Sequence, residues 1–184
     1  MKKFKYINIC QVSGAKKLEK ILSLGSIPFV NDTHKINSDN LMTVSAPLEL
    51  YYSPKSKLVQ LNVEVDKKIL FPKSYPYTSS TTKILRENFF QLRKEIDKNN
   101  FAKENDLIVD IGSNDGNLLS NFKDKYNVLG VTPDNIGKMA IKRGIPTIIS
   151  YFDNFVASKI NKKYGKAKII TATNVFAHIT EVNN

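Results

Sequence analysis

Residues 107–116, LIVDIGSNDG, constrain this chain more than any other stretch. Leu107, Ile108 and Val109 make an apolar run that ends in the carboxylate of Asp110, the pattern of a strand buried within a parallel sheet. Gly112 and Gly116 then bracket Ser113, Asn114 and Asp115, and a new apolar pattern begins at Leu118 and Leu119. Strand, tight turn and helix start, in that order, put a ligand across the carboxyl end of an open α/β sheet. Gly112 leaves room for a ligand beside the backbone, and Gly116 lets helix and strand pack closely.

No Gly-Lys-Ser/Thr follows the turn, so it is not a Walker phosphate loop. A carboxylate at the strand end and a second one in the loop repel phosphate. They suit a ligand with an ammonium group and ribose hydroxyls, such as S-adenosylmethionine. An ordinary strand–helix turn of an unrelated α/β protein would carry the same ten residues, so the surroundings have to decide. Residues 127–131 read as a second strand ending at Thr132, Pro133 and Asp134. Thr132 falls roughly 20 residues after Asp110, where such folds place the ribose-reading side chain. Residues 145–149 form a third apolar run, leading to Tyr151, Phe152 and Asp153. A fourth, 168–172, closes on Thr173, Asn174, Val175, Phe176, Ala177 and His178. Strands alternating with helical stretches predict a doubly wound sheet.

The 184 residues suffice for one medium domain or two small ones, and a hydrophobic content of 41% allows a buried core. No run has the length and apolarity of a membrane span, and the N-terminus lacks the apolar core and cleavage site of a signal peptide. With a single cysteine, these features predict a reducing, cytoplasmic setting. The net charge of +11 raises nucleic acid as a partner, but the lysines are scattered and no nucleic-acid-binding motif is present. An anionic nucleotide-sugar would be drawn to the same surface.

Residues 1–85 read as a small β-rich lobe and 86–184 as a partial sheet domain. In the lobe, 6–10 alternate as a short strand, 10–14 look like a turn, and 18–24 have strand-like spacing before Gly25, Pro28, Asn31 and Asp32 punctuate a loop. Residues 48–52, 53–56 and 58–65 read as strand, turn and strand, and 66–70 as one helical turn. Residues 71–80 are irregular and rich in hydrogen-bonding groups. Ile84, Leu85, Phe89, Leu92 and Ile96 predict a helix over 81–99.

The segments LGSIPFVND, APLELYYSPKSKLVQL, YPYTSSTT, VDIGSNDG, GVTPDN and ATNVFAHI, in this order, make the chain resemble the sugar C-methyltransferase family. That family has a zinc-binding lobe ahead of an S-adenosylmethionine domain with a Rossmann-like fold. The resemblance implies methyl transfer to a ring carbon next to a carbonyl in a nucleotide-linked keto-deoxysugar. The chain departs from the family in three ways. The family's two Cys-x-x-Cys zinc pairs are here Cys10 with Ser13 and Ser53 with Ser56, and His34 is a stray, so no zinc is expected. Thr132 stands where the family usually has a ribose-binding glutamate. The chain ends at Asn184, ahead of the family's remaining strands and its glutamate–histidine base. The expectation is therefore an enzyme incomplete alone, completed by a second chain on its open sheet edge, or a non-catalytic scaffold.

Asp110 is the first candidate for a cofactor contact, against a loop-fixing carboxylate. Gly112, Ser113, Asn114, Asp115 and Gly116 follow in the turn, with Thr132 and Pro133 after the second strand and Asn174 after the fourth. Phe152 would flank an adenine or sit in the core. By resemblance His178 faces the substrate and hydrogen-bonds it or moves a proton, against a structural donor, and Tyr75 and Tyr77 project towards the sugar or pack as a hinge. Cys10 reads as a buried or surface thiol, with nothing nearby that argues for a lowered pKa.

Overall fold

The structure, a computed structural model, describes residues 4–29, 45–71, 77–179 and 182–183. The chain divides into two compact units, Met1–Pro72 with His178–Asn184, and Lys73–Ala177.

The first unit is built on antiparallel pairs. β1 (Phe4–Tyr6) pairs with β5 (Val63–Val65), and β2 (Glu19–Pro28), β3 (Ser45–Ser53) and β4 (Leu58–Leu61) form a three-stranded sheet in that order. The short strand expected at 6–10 lies earlier, at Phe4–Tyr6. The loop expected from Gly25 to Pro28 is strand instead. Register shifts between Ser23 and Ser26 mark a bulge, and Gly25 takes φ +74° within it. Pro28 is tolerated because β2 is an edge strand, where a missing N–H costs no ladder bond. The single strand expected over 58–65 breaks at Asn62, and its halves pair with different partners. At the break the Asn62 carbonyl accepts from Ile7 N–H at 2.7 Å while its amide donates to Glu49 at 3.0 Å. The expected helical turn is present as α1 (Lys67–Leu70), capped by the Asp66 carboxylate, which accepts from Lys68 N–H. Phe29, Ala46 and Val63 form this unit's core, with Phe4, Val65 and Ile69 against it.

The second unit is a parallel four-stranded sheet. β6 (Leu107–Ile111) lies beside β7 (Asn127–Thr132), β7 beside β8 (Thr147–Ile149), and β9 (Ile169–Thr171) joins the other side of β6. The order β8-β7-β6-β9 reverses direction between β6 and β9. Both neighbours of β6 are parallel, so all four carboxyl ends face one edge. Ile108 and Val109 are almost fully buried because helices cover both faces. On one face α2 (Lys83–Lys98) contributes Phe89 and Ile96 to a core with Ile108, Leu118, Phe122 and Ile145, and Leu85 and Leu92 pack against it. Ile84, counted in the helical pattern, is off this stripe and 67% exposed. On the other face α5 (Asn154–Tyr164) packs Val156 and Ile160 on Leu107, Val109, Leu129 and Val131. The helix after β6, α3 (Asn117–Ser120), is a single turn, and α4 (Gly137–Lys142) follows β7.

Candidate functional site

The turn after β6 is fixed by its neighbours. Gly112 N–H and Ser113 N–H both donate to the Val131 carbonyl, at 2.8 and 3.1 Å. Two backbone donors that a phosphate loop would turn on its ligand are thus spent inside the sheet. Gly116 takes φ +79°, and a Cβ there would meet Ile145 Cδ1 at 2.7 Å and Ala140 Cβ at 2.9 Å. The close approach inferred for this glycine is thus made with the residues around α4. At Gly112, φ +73°, the space where a Cβ would stand is taken by Val175, whose Cγ2 would be 2.3 Å away.

Asn114 and Asp115 brace the segment ahead of α2. Asn114, at φ +50°, accepts from Ser79 N–H at 2.9 Å and donates to the Tyr77 carbonyl at 3.1 Å. Asp115 is fully buried; it accepts from Ser79 Oγ at 2.6 Å and from Arg143 Nη1 at 3.0 Å. Burial raises the pKa of this carboxyl, but the Ser79 and Ser80 hydroxyls and the Arg143 guanidinium outweigh it and hold the group below its ordinary range. Asn117 Nδ2 adds a bond to the Ser79 carbonyl at 3.2 Å. Ser79 and Arg143 were not singled out in the sequence, because nothing local marks a partner 36 or 28 positions away.

Asp110 is different. It lies at the end of the central strand, opposite Gly130 and Thr171, and is 2% exposed. Thr171 Oγ1 donates to its Oδ1 at 2.7 Å. Burial pushes its pKa up to about 7, the threonine hydroxyl opposing this, and no cation shares in the shift. Ser113, packed against Gly130 on the neighbouring strand, is buried with a hydroxyl that has no hydrogen-bond partner among the described residues. Among the described residues, this buried carboxylate has no counter-charge and the hydroxyl no partner; at the reversal point of a parallel sheet the two fit an ammonium and hydroxyl-bearing ligand.

At the end of β7 Thr132 is buried, and its hydroxyl lies 3.3 Å from Asp134 Oδ2. Pro133 is half-buried. Asp134, not selected from the sequence, brings a second buried carboxylate to this edge; burial raises its pKa, against the Ile136 N–H and the Thr132 hydroxyl. Phe152 follows β8 and is partly exposed, and Asn174 follows β9, exposed and at φ +55°. The parallel topology therefore gathers Asp110, the 112–116 turn, Thr132, Pro133, Phe152 and Asn174 at or just beyond the carboxyl ends of its strands. Tyr77 belongs to the same unit, while Tyr75 lies outside the described residues. His178 belongs to the first unit, where its ring meets Phe71 edge-on at 5.4 Å between centroids.

In the first unit the four positions 10, 13, 53 and 56 come together. Cys10 is fully buried, its Sγ 3.1 Å from Ser56 Oγ and accepting from Ser13 N–H at 3.3 Å. The expectation of an unperturbed thiol is corrected here. Burial raises its pKa, but the hydroxyls of Ser13, Ser53 and Ser56 and the Ser13 N–H bring it down to about 6. The donor set does not fit a structural zinc: one sulfur and three neutral alcohols replace four good ligands. A sulfur and an oxygen sharing a tetrahedral zinc would also stand about 3.5 Å apart at usual bond lengths. Among the described residues no three His, Cys, Asp or Glu side chains converge, and His34 lies outside them.

Among the described residues no helix is long and apolar enough to cross a membrane. A family model described as "Putative zinc binding domain" matches residues 10–71. The C-methyltransferase NovU of Streptomyces niveus is 26% identical over 179 residues, which cover 96% of this chain. The chain spans 42% of the length of that relative. The lobe match and this near end-to-end alignment together support a relationship of the chain to the sugar C-methyltransferase family.

Proposed function

We propose that this chain forms the cofactor-holding part of an S-adenosylmethionine-dependent C-methyltransferase with a Rossmann-like sheet. Its substrate would be a nucleotide-linked keto-deoxysugar, methylated on a ring carbon next to a carbonyl. The observation that carries the reading is Asp110, a carboxylate buried without a cation at the point where the strand order reverses. The sheet order β8-β7-β6-β9 also agrees with the first four strands of a doubly wound sheet. The similarity to NovU supports methyl transfer as the chemistry.

When bound, the cofactor would supply an electrophilic methyl group on a sulfonium. Asp110 would accept hydrogen bonds from the ligand's ammonium or hydroxyl groups, held in place by Thr171. Ser113 would offer its unpaired hydroxyl. Thr132, with Asp134 hydrogen-bonded behind it, would meet the ribose, and Pro133, Phe152 and Asn174 would shape the adenine side. Gly112 would let the backbone come close, with Val175 moving aside or packing on the ligand. Asn114, Asp115 and Gly116 would act by fixing the turn. On the substrate, the proton on carbon next to the carbonyl must leave before a carbon–carbon bond can form. By family resemblance His178 would face the substrate and hydrogen-bond it or move a proton, with Tyr75 and Tyr77 towards the sugar.

Calorimetric titration with S-adenosylhomocysteine tests the reading. Micromolar binding that disappears in Asp110→Asn supports it. A cooperatively folded chain that binds nothing would instead favour a scaffold that has kept the turn without the ligand.

A further inference from the structure

The first unit contains two turns that a zinc ion joins in the family the chain resembles, and here something else must join them. One turn, 10–14, is closed by Gly14 N–H on the Cys10 carbonyl at 2.9 Å and by Cys10 N–H on the Ala15 carbonyl at 2.8 Å. The other, between β3 and β4, is closed by Lys57 N–H on the Ser53 carbonyl at 2.8 Å. Among the described residues, three well-formed side-chain bonds cross between the first turn and the β3–β4 hairpin. Cys10 Sγ and Ser56 Oγ make one, at 3.1 Å. Gln60, buried on β4, makes the other two with a single amide: its Oε1 accepts from Gln11 N–H at 3.0 Å and its Nε2 donates to the Ile9 carbonyl at 3.1 Å. Ile9 and Gln11 flank Cys10, so Gln60 grips the backbone on both sides of the cysteine. A buried amide satisfied at both ends is a directional cross-link, and removing it would take away both bonds that β4 makes to this part-buried backbone.

Ser53 supports the same conclusion from the other side. It is fully buried, and among the described residues its hydroxyl makes no well-formed hydrogen bond, although it stands close enough to Cys10 to help hold the thiol's pKa down. A sulfur there would fill a position facing the thiol, whereas the alcohol leaves it unsatisfied.

We propose that the lobe is held without a metal, Gln60 and the Cys10–Ser56 pair having taken over the joining of the two turns. The ligand positions keep their places closely enough that cysteines at 13, 53 and 56 would rebuild a zinc site. This does not depend on the cofactor reading, since it concerns a different unit and is read out without S-adenosyl compounds.

The test uses the full chain produced in zinc-supplemented medium, with zinc measured after dialysis and thermal unfolding followed with and without EDTA. The expected result is no stoichiometric zinc and a midpoint that EDTA leaves unchanged. Gln60→Leu should lower the midpoint by several degrees. The triple variant S13C/S53C/S56C should take up about one zinc per chain and gain an EDTA-sensitive midpoint. Stoichiometric zinc in the unaltered chain, or a midpoint lowered by EDTA, would overturn the proposal. So would a Gln60→Leu midpoint equal to that of the parent. A folded triple variant without zinc would overturn the claim that the ligand positions are retained. Should the triple variant fail to fold, metal content and EDTA response of the parent decide the metal-free claim.

Discussion

The ligand contact proposed for Asp110 would be set against the cost of its buried charge to stability. Its carboxyl titrates near 7 in the folded chain because burial disfavours the charge, against an ordinary value of 3.8. The folded state therefore binds a proton more readily than the unfolded chain between these values. The folded state loses stability as pH rises through that window, and above pH 7 the full penalty is present. A shift of this size corresponds to roughly 4 kcal/mol as an upper bound. Asparagine has the same shape and carries no charge, and its carbonyl can still accept from Thr171. Asp110→Asn is therefore expected to raise the unfolding free energy at pH 8 by about 1–3 kcal/mol and to narrow that gain towards pH 4. Denaturant unfolding at the two pH values checks this. A variant less stable than the parent at pH 8 would mean that the carboxylate is already compensated and that no ligand charge is needed.

At the scale of elements, the turn after β6 is anchored from three sides: by β7 through Val131, by the segment ahead of α2 through Ser79, and by Arg143 at the end of α4. Asp115 joins the last two. Its pKa is lowered, so its contribution is present above the ordinary carboxylate range and is lost as pH falls through the folded value. Arg143→Ala should cost about 1–3 kcal/mol at pH 7, because a buried carboxylate loses a charged donor, and less at an acid pH low enough to protonate the folded group, below the ordinary carboxylate range. Equal losses at both pH values would mean that Arg143 acts through packing alone.

The elements themselves were largely legible. Four runs, at 107–110, 127–131, 145–149 and 168–172, announced the parallel sheet, because strands buried on both faces need largely apolar sequence, and the strands fall within or one residue beyond them. Harder to read was anything that depended on a distant partner. Thr171 beside Asp110, Ser79 on Asp115 and Gln60 around Cys10 are products of register, and residue type alone does not show them. Gly25 and Pro28 were read as loop because local chemistry cannot distinguish a bulged edge strand from a turn. The turn residues Asn114 and Asp115 were legible as special, but their bonds run to the chain's own backbone and side chains.

At the scale of the whole molecule, the charge of +11 bears on which ligands reach the chain. Lysines spread over the sequence create a long-range attraction for polyanions, and salt screens it over about 8–10 Å. The two ligands of the proposed reaction differ in this respect. A nucleotide diphosphate-sugar carries a net negative charge on its phosphates, whereas S-adenosylhomocysteine is close to neutral. The proposed recognition of the latter at Asp110 would rest on short-range contacts with a buried group, which salt screens weakly. Raising salt from 50 to 500 mM should thus weaken nucleotide diphosphate binding about tenfold or more while changing S-adenosylhomocysteine binding less than about twofold. Parallel titrations at both salt concentrations, with an arbitrary DNA duplex as a third ligand, make the comparison. DNA binding stronger than that of the nucleotide, with a steep salt slope, would assign the basic surface to nucleic acid instead. Equal salt dependence for nucleotide and S-adenosylhomocysteine would mean that the charge has no part in choosing between them, and that selection lies in the local contacts of each site.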